Sequence, residues 1–254
     1  MNIQLAPIIA ANNATQYYIG CSGWYYNHWH SLFYPAELPK SEWLPFYAKQ
    51  FNTVELNSSF YHIPSEETLK KWRESTPDNF VFSVKASRFI THIKKLKNSE
   101  LALNKFLYRA SILQNKLGPL LYQLPPKMKR DDDILCEFIS LLPGCYRHVF
   151  EFRHKSWLNI SVFNILRRYN IGFCICDMPD IDCPLITTSD FAYFRFHGSQ
   201  KLYSSHYSNN ELSQWSQKII QLSQKVKAIY IYFNNDAEAF AINNAQTLKD
   251  YLHQ

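Results

Sequence analysis

Two six-residue runs decide the fold: His148-Val149-Phe150-Glu151-Phe152-Arg153 and Ala192-Tyr193-Phe194-Arg195-Phe196-His197. Successive side chains of a strand point to opposite faces. With Phe150 and Phe152 on one face, Glu151 and Arg153 fall on the other. In the second run Phe194 and Phe196 leave Tyr193, Arg195 and His197 together. An aromatic face suits packing beneath helices and a charged face suits the inside of a barrel, so both runs read as barrel strands with charges aimed inward.

Working outward, six more β-rich runs complete the pattern: Tyr17–Ser22, Thr53–Asn57, Phe80–Lys85, Pro119–Leu124, Phe173–Asp177 and Ala228–Asn234. Segments with apolar residues at i, i+3 and i+4 lie between most of them, at Ser41–Phe51, Ser65–Ser75, Ser99–Lys116, Asp131–Leu142, Ser161–Tyr169, Asn209–Lys225 and Asp236–Leu252. Ser65 with Glu66 and Glu67, and the run Asp131-Asp132-Asp133, carry the signature of helix starts. Alternating strands and helices predict a parallel sheet, and eight units close into a single (β/α)8 TIM-type barrel. The link Met178–Asp190 holds two prolines and little helical pattern, so the helix after strand six is expected to be missing or shortened. The 254 residues suit one barrel domain over 1–254, with 1–16 as an irregular N-terminal tail.

The same parity sends Glu55 and Asn57 of strand two, Lys85 of strand three, Gln123 of strand four, Asp177 of strand six and Asn234 of strand eight inward, with Asn235 next to it. Nearly all lie at the C-terminal ends of their strands, where barrels of this class place their chemistry. The expected ring joins three cations (Lys85, Arg153, Arg195), three carboxylates (Glu55, Glu151, Asp177) and the imidazole of His197. Charges buried this close pair with one another, hold a ligand or shift their pKa values. Arginines grip phosphate or carboxylate bidentately, so Arg153 and Arg195 form the expected anion clamp, with Lys85 as electrostatic stabiliser and Glu55 or Glu151 moving protons. Asn57, Gln123, Asn234 and Asn235 are expected to orient the substrate. Trp24 and Tyr61 are the aromatic candidates for stacking on it.

Plainer readings stand beside these. Glu151 with Arg153 is also what an ordinary ion pair on one strand face looks like. Glu151, Asp177 and His197 form a donor set for a divalent cation, which the neighbouring arginines oppose. A Schiff base at Lys85 competes with a lysine that stays charged among carboxylates. Cys174 and Cys176 share a strand face and with Cys183 offer a thiolate site, but buried reduced thiols are the simpler account.

Composition narrows the class. The residues are 46% hydrophobic and 19% charged, a globular balance. The net charge of +6 inclines toward anionic ligands but falls short of a nucleic-acid footprint. No apolar run reaches membrane-span length, and the start MNIQLAPIIAANNATQ has no signal-peptide pattern, so the expectation is a cytoplasmic protein without membrane contact. Nucleotide-binding glycine loops, G-x-S-x-G and H-E-x-x-H are absent from the sequence, and no organic cofactor is expected.

A series of ordered motifs runs through the chain: IGCSGW (19–24), FYP (33–35), FYAKQFNTVELNSSFYHIPSEETLKKW (46–72), FVFSVKAS (80–87), ITH (90–92), KLGPLLYQLPP (116–126), EFRHKSW (151–157), YFRFHG (193–198) and YFNND (232–236). Together they resemble the "domain of unknown function 72" family, the YecE-like proteins. That resemblance implies a TIM-type barrel and carries no activity with it. Cys21 stands where the family usually has threonine, and Ala237-Glu238-Ala239 replaces a more glycine-containing stretch. The functional expectation is therefore an enzyme acting on a small anionic or phosphorylated substrate by acid–base chemistry. The alternatives are a nucleic-acid or nucleotide-processing protein that binds a phosphodiester, and an anion-binding protein without turnover.

Overall fold

The computed structural model describes residues 14–253. Eight parallel strands form one sheet in the order β1-β8-β7-β6-β5-β4-β3-β2: β1 Gln16–Cys21, β2 Thr53–Leu56, β3 Val81–Lys85, β4 Leu117–Gln123, β5 His148–Glu151, β6 Gly172–Asp177, β7 Phe191–Phe196 and β8 Ala228–Phe233. The helices are α1 Trp43–Gln50, the short α2 Ser58–Tyr61, α3 Glu66–Glu74, α4 Glu100–Ser111, α5 Asp132–Ser140, α6 Ile160–Arg168, α7 Asn209–Ser223 and α8 Phe240–Tyr251. This is the (β/α)8 TIM-type barrel. Among the described residues no helix joins β6 to β7; a bridge between Met178 and Ile181, the hydrogen bond from Cys176 N–H to Cys183 Sγ at 3.2 Å and that from Thr188 Oγ1 to Ile171 O at 2.6 Å order that link. The expected tail over 1–16 lies outside the described residues except for 14–16, of which Gln16 already opens β1.

Local chemistry sets several helix starts. Ser65 and Asp131 accept hydrogen bonds from the backbone N–H groups of Thr68 and Ile134, and Ser208 with Glu211 forms a capping box ahead of α7. The helix expected to begin at Asp236 starts only at Phe240, because Glu238 and Ala239 adopt positive φ and make a turn first. No helix among the described residues is long and apolar enough to cross a membrane.

The barrel is nearly closed. Seven neighbouring strand pairs carry parallel backbone ladders, whereas β1 and β2 are stitched by side chains. Asn52 accepts from Ile19 N–H at 3.1 Å and donates to Tyr17 O at 2.7 Å. The Tyr47 hydroxyl accepts from Cys21 N–H at 2.7 Å and donates to Thr53 O at 3.1 Å. Gly20 is obligatory at this seam, since a Cβ there would lie 2.1 Å from Thr53 O.

Two cores result. The outer one packs Phe150, Phe152, Phe173, Ile175, Phe194 and their neighbours beneath the helices. The inner one fills the lower barrel with Leu121, Val149, Cys174, Phe191, Tyr193, Tyr230 and Tyr232. Above it lies a layer of hydroxyls, in which Thr53 pairs with Tyr232 at 2.7 Å and Ser83 with Tyr193 at 2.8 Å. Buried hydroxyls need partners, and this layer supplies them while carrying the lumen from apolar to charged.

Candidate functional site

The charged groups sit directly on the hydroxyl layer. Glu55 accepts from the Tyr193 hydroxyl at 2.6 Å, from Ser22 Oγ at 2.7 Å and from Arg195 Nη2 at 2.8 Å. Arg195 reaches across the lumen with its other amine to Glu151 Oε2 at 2.6 Å. Arg153 Nε donates to Glu151 Oε1, and its Nη2 lies 2.9 Å from His197 Nε2. His197 completes the cluster, 3.2 Å from Glu151 Oε1 through Nε2 and 3.1 Å from the Asn234 amide through Nδ1. Gln123 flanks Arg195 at 3.5 Å. Residues from β2, β4, β5 and β7, with the first loop residues after β5, β7 and β8, thus converge as the strand parity of those elements predicts.

Mutual neutralisation governs the platform. Burial opposes ionisation of Glu151, but Arg153 and Arg195, aided by His197, hold its carboxyl well below the usual range. Burial likewise opposes the charge on Arg195, and Glu151 and Glu55 reverse that effect. His197, buried and next to Arg195, is pushed down to about 3 and stays neutral. Arg195 is only 1% exposed with both terminal amines engaged, so it fixes the two glutamates instead of reaching a ligand in the mouth. The expected clamp is corrected accordingly: Arg195 lies beneath the mouth as a bridge.

Lys85 behaves differently. Its ammonium stands 4.4 Å from the centre of the Phe60 ring, and among the described residues no carboxylate pairs with it. Burial and then the charge of Arg195 lower its pKa to about 8, against the opposing pull of Glu151 and Glu55. His92 also packs on Phe60, with ring centroids 5.0 Å apart and planes at 86°. Burial, then Lys85 and Arg88, bring His92 down to about 4. It belongs to a π-helical turn, Phe89–Ile93, a geometry common at functional sites. Periodicity does not reveal such a turn, so strand and helix patterns leave His92 unmarked. Its place in the ITH motif was the available signal.

Two candidates lie elsewhere. Asp177 points outward, where Tyr207 and Trp215 hydrogen-bond to it, and burial raises its pKa. Parity explains this, because Asp177 shares its face with Phe173 and Ile175, whose bulk belongs under the helices, so Cys174 and Cys176 point inward instead. Asn235 faces out as well and donates to Ser205 O and Asn244 Oδ1, tying β8 to α8. With Asp177 gone, the donor set Glu151, Asp177 and His197 is dispersed, and among the described residues no three His, Cys, Asp or Glu side chains are placed to hold a metal ion. All six cysteines are free thiols.

Of the aromatic candidates, Tyr61 is 66% exposed, whereas Trp24 is buried and lines a groove of about 890 Å³ beside the platform. Asn57 lines the same groove and donates to Ser22 O at 3.2 Å. Ser22, Phe60 and Trp72 belong to this region and were not singled out by parity, since all three follow strands or sit on a helix.

Comparison with known proteins agrees with the architecture. UPF0759 protein YunF of Bacillus subtilis is 26% identical over 268 residues, spanning 92% of this chain and 94% of the relative. UPF0759 protein YecE of Escherichia coli is 33% identical over 141 residues, spanning 55% of this chain and 49% of the relative. The crystal structure of a DUF72 family protein from Thermotoga maritima superimposes with a TM-score of 0.85 at 30% identity, covering 94% of this chain and all (100%) of that one. The family model described as "protein of unknown function DUF72" matches residues 18–254, nearly the whole chain. With that match, this chain belongs to the DUF72 family.

Proposed function

We propose that this protein is an enzyme acting on a small anionic or phosphorylated substrate, held at the barrel mouth by Lys85 and transformed by acid–base chemistry. The observation that carries the reading is the ammonium of Lys85: it lies at the C-terminal end of β3, against the Phe60 ring, is poised near neutrality and among the described residues has no carboxylate of its own. A cation without a counter-ion in a partly dry site gains most from an anionic ligand. With a pKa of about 8, Lys85 can also give or take a proton near physiological pH. Neutral His92, against the same Phe60 ring, is a candidate partner in that transfer. Glu151, held ionised between two arginines, acts as electrostatic support. The roles need no organic cofactor. A panel of phosphorylated and carboxylated metabolites tested by calorimetry against wild type and Lys85→Ala checks the reading. Binding that is lost in the variant supports it, and a wild type that binds no anion, or a variant that binds as well, sinks it.

A second reading places a phosphodiester in the mouth. It is favoured by the exposed lysines Lys94, Lys95 and Lys97 after β3 and Lys127 and Lys129 after β4. Oligonucleotide affinity that did not fall with rising salt would remove it.

A further inference from the structure

Among the described residues β1 and β2 are the one neighbouring strand pair without a backbone ladder, and side chains join them. The groove of about 890 Å³ opens there, within the size of typical small-molecule sites. Its walls come from the loop after β1, the turn after β2, the start of α1 and one face of α3.

The groove is aromatic along its length and polar where it meets the platform. Trp24 and Trp72 stand edge-to-face, with centroids 4.8 Å apart and planes at 90°. Together they offer a flat ring one face and one edge, the arrangement by which aromatic side chains seat planar heterocycles and the apolar faces of sugars. At the inner end, Asn57 donates through Nδ2 to Ser22 O, while its buried Oδ1 has no partner among the described residues. A buried carbonyl oxygen without a donor is uncommon in a folded protein and marks a position where a ligand N–H or O–H is welcome. Ser22 in turn donates to Glu55, so this end of the groove touches the charged platform.

The charge lies close by. Asn57 and Ser58 face the groove, and Phe60, three residues beyond Asn57, carries the ammonium of Lys85. Three helical residues, a rise of about 4.5 Å, separate the two along the chain. Lys40 and Lys71 on the groove wall against the single carboxylate of Glu67 leave it slightly positive, which disfavours a cationic occupant.

We propose that the groove at the β1–β2 seam is the specificity subsite for a phosphate ester of a ring-bearing alcohol, with the ring against Trp72 in the corner it makes with Trp24, a ring donor on Asn57 Oδ1 and the phosphate on Lys85. This rests on the reading of Lys85 given above and names the substrate class for that site.

The test compares inorganic phosphate, ribose 5-phosphate, glucose 6-phosphate and nucleoside monophosphates by calorimetry, with tryptophan fluorescence as a second readout. At least one ring ester should bind roughly tenfold or more tightly than phosphate, the low end of what stacking on aromatic side chains provides. The sugar and nucleotide arms show which ring the groove prefers. Trp72→Ala and Asn57→Ala should each erase most of that advantage while leaving phosphate affinity unchanged, and Trp72→Leu replaces the alanine variant if it does not fold. If phosphate binds but every ester binds no tighter, or Trp72→Ala keeps the advantage, the groove proposal is overturned and the Lys85 reading stands. If phosphate does not bind, the Lys85 reading fails, and the groove is judged with the uncharged sugars and nucleosides. Fluorescence quenching that disappears in Trp72→Leu then supports the ring seat, and its absence overturns it.

Discussion

Lys85 Nζ stands 4.4 Å from the centre of the Phe60 ring, although the lysine ends β3 and the phenylalanine belongs to the turn after β2. The ring offers the ammonium a quadrupole in place of a carboxylate, so the charge is steadied without being neutralised. The carboxylates that strand parity places near Lys85 are already committed to Arg195 and Arg153.

Anion binding should follow the protonation of Lys85. Sulfate keeps a fixed charge, so its affinity should be flat below about pH 8 and fall about tenfold per unit above it. Lys85→Gln should bind weakly and without pH dependence. Calorimetric titrations across this range check both, and a wild-type profile unchanged through pH 9.5 (about 1.5 units past the lysine's transition) would contradict the assignment.

Phe60→Leu removes the quadrupole but keeps the apolar wall. A cation–π contact is worth about 0.5–1 kcal/mol at such a site, so the lysine should lose its proton about half a unit lower. The midpoint of the sulfate profile should move down by that amount, and an upward shift would contradict the contact.

Arg195→Met should strike stability harder than it strikes any ligand. It strands Glu55 and Glu151 without their bridge, and losing one partner of a buried ion pair costs about 3–5 kcal/mol. Chemical denaturation measures the loss; a change below 1 kcal/mol (about a third of the lower bound) would show the carboxylates finding other partners.

His197 makes folding sensitive to acid. Its pKa is about 3 in the folded chain against an ordinary 6.5, so unfolding takes up a proton between these values. Stability therefore falls as pH falls through that window, by at most about 1.4 kcal/mol per pH unit from this residue. Denaturation curves between pH 4 and 6.5, inside that window, should show a shallower acid slope for His197→Gln than for wild type. Equal slopes would mean that His197 is already protonated in the fold.

Asp177→Asn separates the outward face from the mouth. It should alter the contacts with Tyr207 and Trp215, and so the melting temperature, while sulfate affinity stays as in wild type. A loss of affinity would return Asp177 to the site.

The barrel and most of its lumen are legible in the alternation along the strands. Bulky side chains at every second position of β2, β5 and β7 had only the space beneath the helices to occupy, and Glu55, Glu151, Arg195 and His197 followed from parity. Applied evenly, that rule also turns Asp177 outward with Phe173 and Ile175. Which charges pair and which remain available is set by the closure of the barrel. Pairing depends on distances across the lumen, between residues as far apart in the chain as Glu55 and Arg195, and alternation within a strand contains no such distance. Closure also sets where the groove lies. The seam between β1 and β2 arises from how a twisted sheet closes, and its walls, Trp24 and Trp72, come from a loop and a helix whose mutual approach no local pattern encodes.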